Sequence, residues 1–166
     1  MTASTPRNIL PLLAAGQAQK EVTHNAALML ADILIQSAVQ SAAFTNPPLF
    51  PTAGQCWLVA SPASGAWTGK DGHLAAWSES GWIFIAPRPG LETTDLSNGQ
   101  SVRYDGTAWS SGVIKASSVE IAGQQVLAAR QAAISNPSGG ETIDSQARIT
   151  INSILNALRS HGLIVS

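Results

Sequence analysis

Charge is what this sequence has least of. Asp, Glu, Lys and Arg make up 11% of its 166 residues, against roughly 25% in an average soluble domain. The 9 basic residues are scattered singly and offset 10 acidic ones to a net charge of -1, which excludes a nucleic-acid partner recruited by bulk electrostatics. Cysteine is nearly absent. Cys56 is the only one, so neither an intrachain disulfide nor a cysteine zinc site can form. Set in the apolar run "QCWLVA", it reads as a small core residue. Long hydrophobic runs are missing too. None approaches the roughly 18 residues that span a bilayer, and "MTASTPRN" lacks the apolar h-region of a secretory signal. The expectation is a soluble chain made in the cytoplasm, with no membrane partner.

Hydrophobic content is an ordinary 45%, and Ser, Thr, Asn, Gln, Gly and Ala stand where charge would be. So few charges give little protection against association. The chain is therefore expected to bury surface against other chains.

The periodicities point to an α+β fold: a long N-terminal helix, a small Trp-rich antiparallel β domain and a C-terminal helix. Residues 16–43 predict one long helix, with Val22, Ala26, Met29 and Ile33 spaced as one apolar stripe that Leu30 and Leu34 widen. "TNPPLFP" ends it, because residues before proline avoid the helical region. "HLAAWSESGWIFIA" predicts a hairpin in which Trp77 faces Trp82 and Ala75 faces Phe84. Leu74 and Ala76 share the other face with Ile83 and Ile85, so the hairpin must be covered on both sides. "VRYDGTAW" predicts a second hairpin with a type I′ turn at Asp105-Gly106, pairing Tyr104 with Thr107 and Val102 with Trp109. "RPGLETTDLSNGQ" (88–100) reads as a loop, and "SVEIAGQQVL" as a third hairpin around Ala122-Gly123. After the break at "ISNPSGGETID", a helix from about Ile143 to Ser160 carries Ile143, Ala147, Ile151, Ile154 and Leu158 at helical spacing. Gly162 and Leu163 are placed to close it. The organisation expected is 1–50 helical segment, 51–112 Trp-rich β domain, 113–140 hairpin and linker, and 141–166 C-terminal helix.

The polar cluster Gln17–Asn25 is the first candidate site. Glu21-x-x-His24 has the spacing of a di-iron ligand pair, but such a site needs a second copy of the motif and two further glutamates. His73 and His161 have no acid three residues before them. No nucleophile elbow or phosphate loop is present. The cluster reads as a hydrogen-bonding helix face, and no catalytic residue, metal or cofactor is expected.

"LPLLAAGQAQKEVTHNAAL", followed by "PPLFPTAGQCWLVASPASGAWTGKDGHLAAWSESGWIFIAPRPG", closely resembles the domain of unknown function 2793 family of alphaproteobacterial phages, prophages and gene transfer agents. "AGQAQKEVTHN" is its most specific stretch. The segment from Ile121 to Ile164 is similar to the ends of phage fibre or spike subunits. The resemblance implies a virion appendage, either a tail fibre or a head spike or head fibre. It further implies an elongated, trimeric assembly bound to other virion proteins and touching host surface polysaccharide. It supplies no catalytic residues. The stripe Ile143, Ala147, Ile151, Ile154 and Leu158 then suits the seam of a three-helix cluster, although it could equally pack on the chain's own β domain.

Aromatic rings stack on the apolar faces of sugars, so Trp67, Trp77, Trp82, Tyr104 and Trp109, with Asp71 and His73 nearby, form the candidate glycan surface. Trp67, among Gly and Lys, is the residue expected to be most exposed, and Trp57 is expected to be buried. For the alternative, a glycan-cleaving enzyme, Asp71 and Glu79 are a candidate carboxylate pair, although ten acids in a chain always offer such pairs. A second alternative is an adaptor or cement protein without a ligand.

Overall fold

The computed structural model describes residues 3–16, 19–140 and 144–165. The chain is mixed α+β and divides into two units, 1–113 and 114–166. No helix among the described residues is long and apolar enough to cross a membrane.

In the first unit, helix α1 spans Lys20–Leu34 rather than 16–43. Local apolar spacing runs on past Leu34, but tertiary partners stop the helix there. Ile35 is extended, Gln36 takes a left-handed φ of 48°, and Ala38–Val39 become strand β1. The Arg7 guanidinium holds this corner by donating to the carbonyls of Gln36, Ala38 and Gly54 at 3.2, 3.3 and 3.1 Å. Each is a bond that no helical register could supply.

The covered face of α1 also differs from the expected stripe. Ile33 is buried, but Val22 is 66% exposed, and Leu30 and Leu34 are also exposed. The side chains facing inward beside Ile33 include polar ones. Asp32 is fully buried. Its carboxylate accepts from the Arg7 and Asn8 backbone N–H groups at 3.0 and 2.7 Å and from Asn8 Nδ2 at 3.0 Å. The Asn25 amide grips Leu13 at both its N–H and its carbonyl, at 2.9 and 3.0 Å. Glu21 accepts from Gly16 N–H. The polar cluster is therefore a clamp for the N-terminal segment. His24 of that cluster is exposed, and Gln17 lies outside the described residues.

Strands β2 (Cys56–Leu58), β3 (Leu74–Ser78) and β4 (Gly81–Ile85) form one antiparallel sheet. Its register matches the expectation, with Trp77 opposite Trp82 and Ala75 opposite Phe84. Both faces are covered. Cys56, Leu74 and Ala76 pack with Ile33, Val39, Ile83 and Ile85 on one side. Trp57, Val59 and Ala75 pack with Trp67 and the other aromatics on the opposite side.

A second sheet has the order β1-β5-β6-β7, with β5 at Glu92–Asp95, β6 at Gln100–Tyr104 and β7 at Trp109–Ser111. Part of the expected loop 88–100 is thus the strand β5. Its inward residues are Thr93 and Asp95, both buried, so it carries no apolar alternation to read. The Asp95 carboxylate accepts from Ala42 N–H, Ser97 N–H and the Ser97 hydroxyl. The β6–β7 register is also longer than expected, with Tyr104 opposite Trp109 and Val102 opposite Ser111. The Asp105 carboxylate accepts from the N–H groups of Thr107 and Ala108 at 2.8 and 2.9 Å. It thereby closes a four-residue loop in place of a two-residue type I′ turn.

The second unit holds β8 (Val119–Ile121), β9 (Gln124–Leu127) and α2 (Ser145–Ser160). Ala122 and Gly123 take φ of 50° and 75°, the positive pair that a two-residue hairpin needs. Asp144 caps α2 through Ala147 N–H. At the far end Gly162 N–H reaches Arg159 O and Leu163 N–H reaches Leu158 O, the paired closure expected of a left-handed Gly162.

Two consequences of Asp32 are measurable. Burial pushes its carboxyl pKa up, but hydrogen bonds from Thr5, Asn8 and Arg7 outweigh that, and the net shift is downward. A depressed pKa contributes stability that is complete above the unfolded value of about 3.9 and is lost as pH falls through the folded value. Urea titrations should therefore show this contribution at pH 6 and its disappearance in acid below pH 4. Asp32→Ala, which strands the Arg7 and Asn8 donors, should cost about 3 kcal/mol at pH 6 and flatten that acid dependence.

Candidate functional site

The aromatic residues are built around one turn. A 3₁₀ turn at Gly65–Trp67 drops Trp67 into the sheet face. Ser64 N–H binds Thr45 O at 2.8 Å, and Trp67 N–H binds Ser64 O at 3.1 Å. Gly65 has a φ of 59°, a left-handed conformation that a side chain would strain. Trp67 is 0% exposed, which reverses the expectation that it would be the most accessible aromatic. Polar neighbours in sequence told nothing of its own direction. Its ring lies 6.3 Å from Trp57 and 5.1 Å from Trp82, the latter edge-on at 82°. Trp57 is buried as expected.

Trp77 and Trp82 are half-buried and meet at 4.9 Å in an edge-on pair. Phe84 continues the row, 6.5 Å from Trp82, and the Lys70 ammonium sits 5.4 Å from the Phe84 centroid, within cation–π reach. Tyr104 and Trp109 form a second half-buried pair at 5.2 Å. Trp109 Nε1 donates to Gly72 O at 2.8 Å, which fastens this pair to the turn that carries Lys70, Asp71 and His73. That turn is the common element: Lys70 touches the first aromatic row, and Gly72 holds the second.

Asp71 is committed locally. Its carboxylate accepts from Ala63 N–H at 2.9 Å. That bond, with one from Ser61, holds its pKa below the ordinary carboxylate range. His73 Nδ1 lies 3.2 Å from Asp71 O. Glu79 is exposed at the tip of the β3–β4 hairpin. An acid held ionised by backbone bonds suits anchoring a turn more than delivering a proton. Among the described residues no group of three or more His, Cys, Asp or Glu side chains could hold a metal ion.

A concavity of this unit lies elsewhere. A groove of about 890 Å³ runs between the N-terminal segment, α1 and the β3–β4 hairpin, lined by Ile9, Leu12, Met29, Leu30, Trp82 and Ile83 among others. Of the expected glycan residues only Trp82 reaches it. Met29 and Leu30 were readable as apolar, but their spacing marked them as core rather than as the wall of an open groove.

The small two-faced sheet, its aromatic cover and most of helix α1 fall within one recognisable sequence unit. Residues 24–110, just over half of the chain, match the family described as protein of unknown function (DUF2793), and the chain belongs to that family. None of the curated proteins matches it.

Separating structural from exposed aromatics gives a direct check. Trp67→Ala should lower stability by about 3–5 kcal/mol, read as a fall in the urea midpoint. Tyr104→Ala, at a half-buried position, should cost less than half of that.

Proposed function

We propose that the chain is a structural subunit of a virion appendage, a tail fibre or a head spike or head fibre of a phage-like or gene-transfer-agent-like particle. In this reading it assembles as a trimer, attaches to other particle proteins and meets host surface polysaccharide through its half-buried aromatics. It performs no chemistry on that polysaccharide.

The observation that carries the reading is how little core the second unit has. Within 114–166 the buried apolar residues among those described are Leu155 and Ile164. Every described residue of β8 and β9 is exposed, and a lone two-stranded hairpin is marginal in water. Along α2, Ile151 and Ile154 are 44% and 55% exposed, Ala147 is exposed and Leu158 partly buried. Ile143 lies outside the described residues. What ties the unit together is a main-chain bridge of Gln131 to Leu163 and Val165 and arginine bonding to main-chain oxygens: Arg159 to Ile134 O, Arg148 to Gly139 O and Arg130 to Ile164 O. Some fifty residues do not hold a fold on so small a core. Partner chains that cover Ile151 and Ile154 supply what is missing.

Light scattering of the full chain at micromolar concentration should give three times the chain mass, and Ile154→Asp should reduce it. The protein should also adsorb to encapsulated host cells and not to cells stripped of capsule. Trp77→Ala combined with Tyr104→Ala should weaken that adsorption about tenfold, equivalent to about 1.4 kcal/mol, at unchanged mass. A monomer that adsorbs to neither cell type defeats the reading. Shortening of the polysaccharide, lost in Asp71→Asn or Glu79→Gln, would make it an enzyme instead.

A further inference from the structure

The groove is bordered on one side by the last strand of a sheet. Within β3, Trp77 turns its backbone groups toward β2: its N–H binds Gln55 O and its carbonyl accepts Gly54 N–H, both at 2.9 Å. Inter-strand bonding alternates along an antiparallel pair. The residues opposite Trp77 and Ala75, which are Trp82 and Phe84, therefore point their N–H and carbonyl groups away from β3. That side is the outer edge, because β4 is the last strand of its sheet. Among the described residues nothing bonds to these backbone groups. Gly81, Trp82 and Ile83 line the groove, so the unpaired edge borders this apolar channel at Trp82. An apolar strand edge left in this state is a template for another strand.

The same chain carries an uncommitted strand-like segment. Residues 113–117, Val-Ile-Lys-Ala-Ser, form neither helix nor strand, and no backbone group of theirs is bonded among the described residues. Val113 and Ile114 are 57% and 90% exposed, although adjacent β-branched residues favour a pleated, half-buried setting. The charges correspond as well. Among the described residues the one ionisable side chain lining the groove is Glu79, at its hairpin end, and the one charge in the segment is Lys115.

We propose that residues 113–117 of one copy add as a fourth strand to the β4 edge of a neighbouring copy. Because side chains alternate along a strand, Val113 and Lys115 then share the groove face, with Lys115 beside Glu79. This rests on the homo-oligomeric reading above and gives it a mechanism. Donor and acceptor are different surfaces, so the contact is head-to-tail; a three-fold rotation between copies closes it as a ring of three, and a rotation that does not close would give a filament.

Mixing the Glu79→Cys chain with the Lys115→Cys chain tests this directly, since the native Cys56 is buried. Mild oxidation of the mixture should give a mixed disulfide dimer that neither variant forms alone. Glu79→Lys and Lys115→Glu should each raise the concentration needed for assembly about threefold or more, and the double variant should restore it. These are exposed side chains, so misfolding does not cloud the comparison. A trimer without the mixed disulfide, or without rescue by the double variant, overturns the proposal and leaves the appendage reading standing. A monomer overturns it together with the trimer.

Discussion

A three-stranded sheet that is apolar on both faces has to be covered twice, and most of the first unit follows from that requirement. One cover is α1, whose Ile33 reaches Cys56, Leu74 and Ala76. The other is the loop after β2, which delivers Trp67 against Trp57 and Ala75. Neither cover is held by apolar contact alone. The loop is bonded back to Thr45 through Ser64. The helix is held through Asp32, a buried carboxylate whose charge is offset by the Thr5 side chain and by backbone and amide donors of the N-terminal segment. Such a group is costly to bury unpaired, so the helix, the segment and the corner at Gln36 stand or fall together.

The two units solve the problem of burial in different ways. The first encloses Trp67, Leu74, Val39 and Val102 completely and spends hydrogen bonds on fixing its loops. The second uses guanidinium-to-carbonyl bonds and leaves most of its isoleucines and valines in water. The scarcity of charge in the sequence points the same way as these uncovered side chains. A surface built for solvent alone would carry more Lys, Glu and Asp.

Legibility in the sequence followed the range of the interactions. The β3–β4 register could be read because alternation and a short loop decide it locally. The Ala122-Gly123 turn and the Gly162 closure were legible for the same reason. The end of α1 was not, since it is set by Arg7 and by β5, far away along the chain. Strand β5 was hidden because Thr93 and Asp95 face inward, and a polar strand has no hydrophobic period. At the candidate site, the pairing of Trp77 with Trp82 was readable. The burial of Trp67 depended on a loop conformation that its polar neighbours concealed, and the groove arose from three elements that no local pattern links.

The family match begins at His24, inside α1, and so leaves out Arg7, Asn8 and Leu13. Those residues fill the hydrogen-bonding needs of Asp32 and Asn25, which lie within it. The recognisable stretch is therefore smaller than the piece that can fold. A fragment excised at the match boundary would carry an orphaned interior carboxylate, and any relative sharing only that stretch must recruit substitute donors from its own flanking chain.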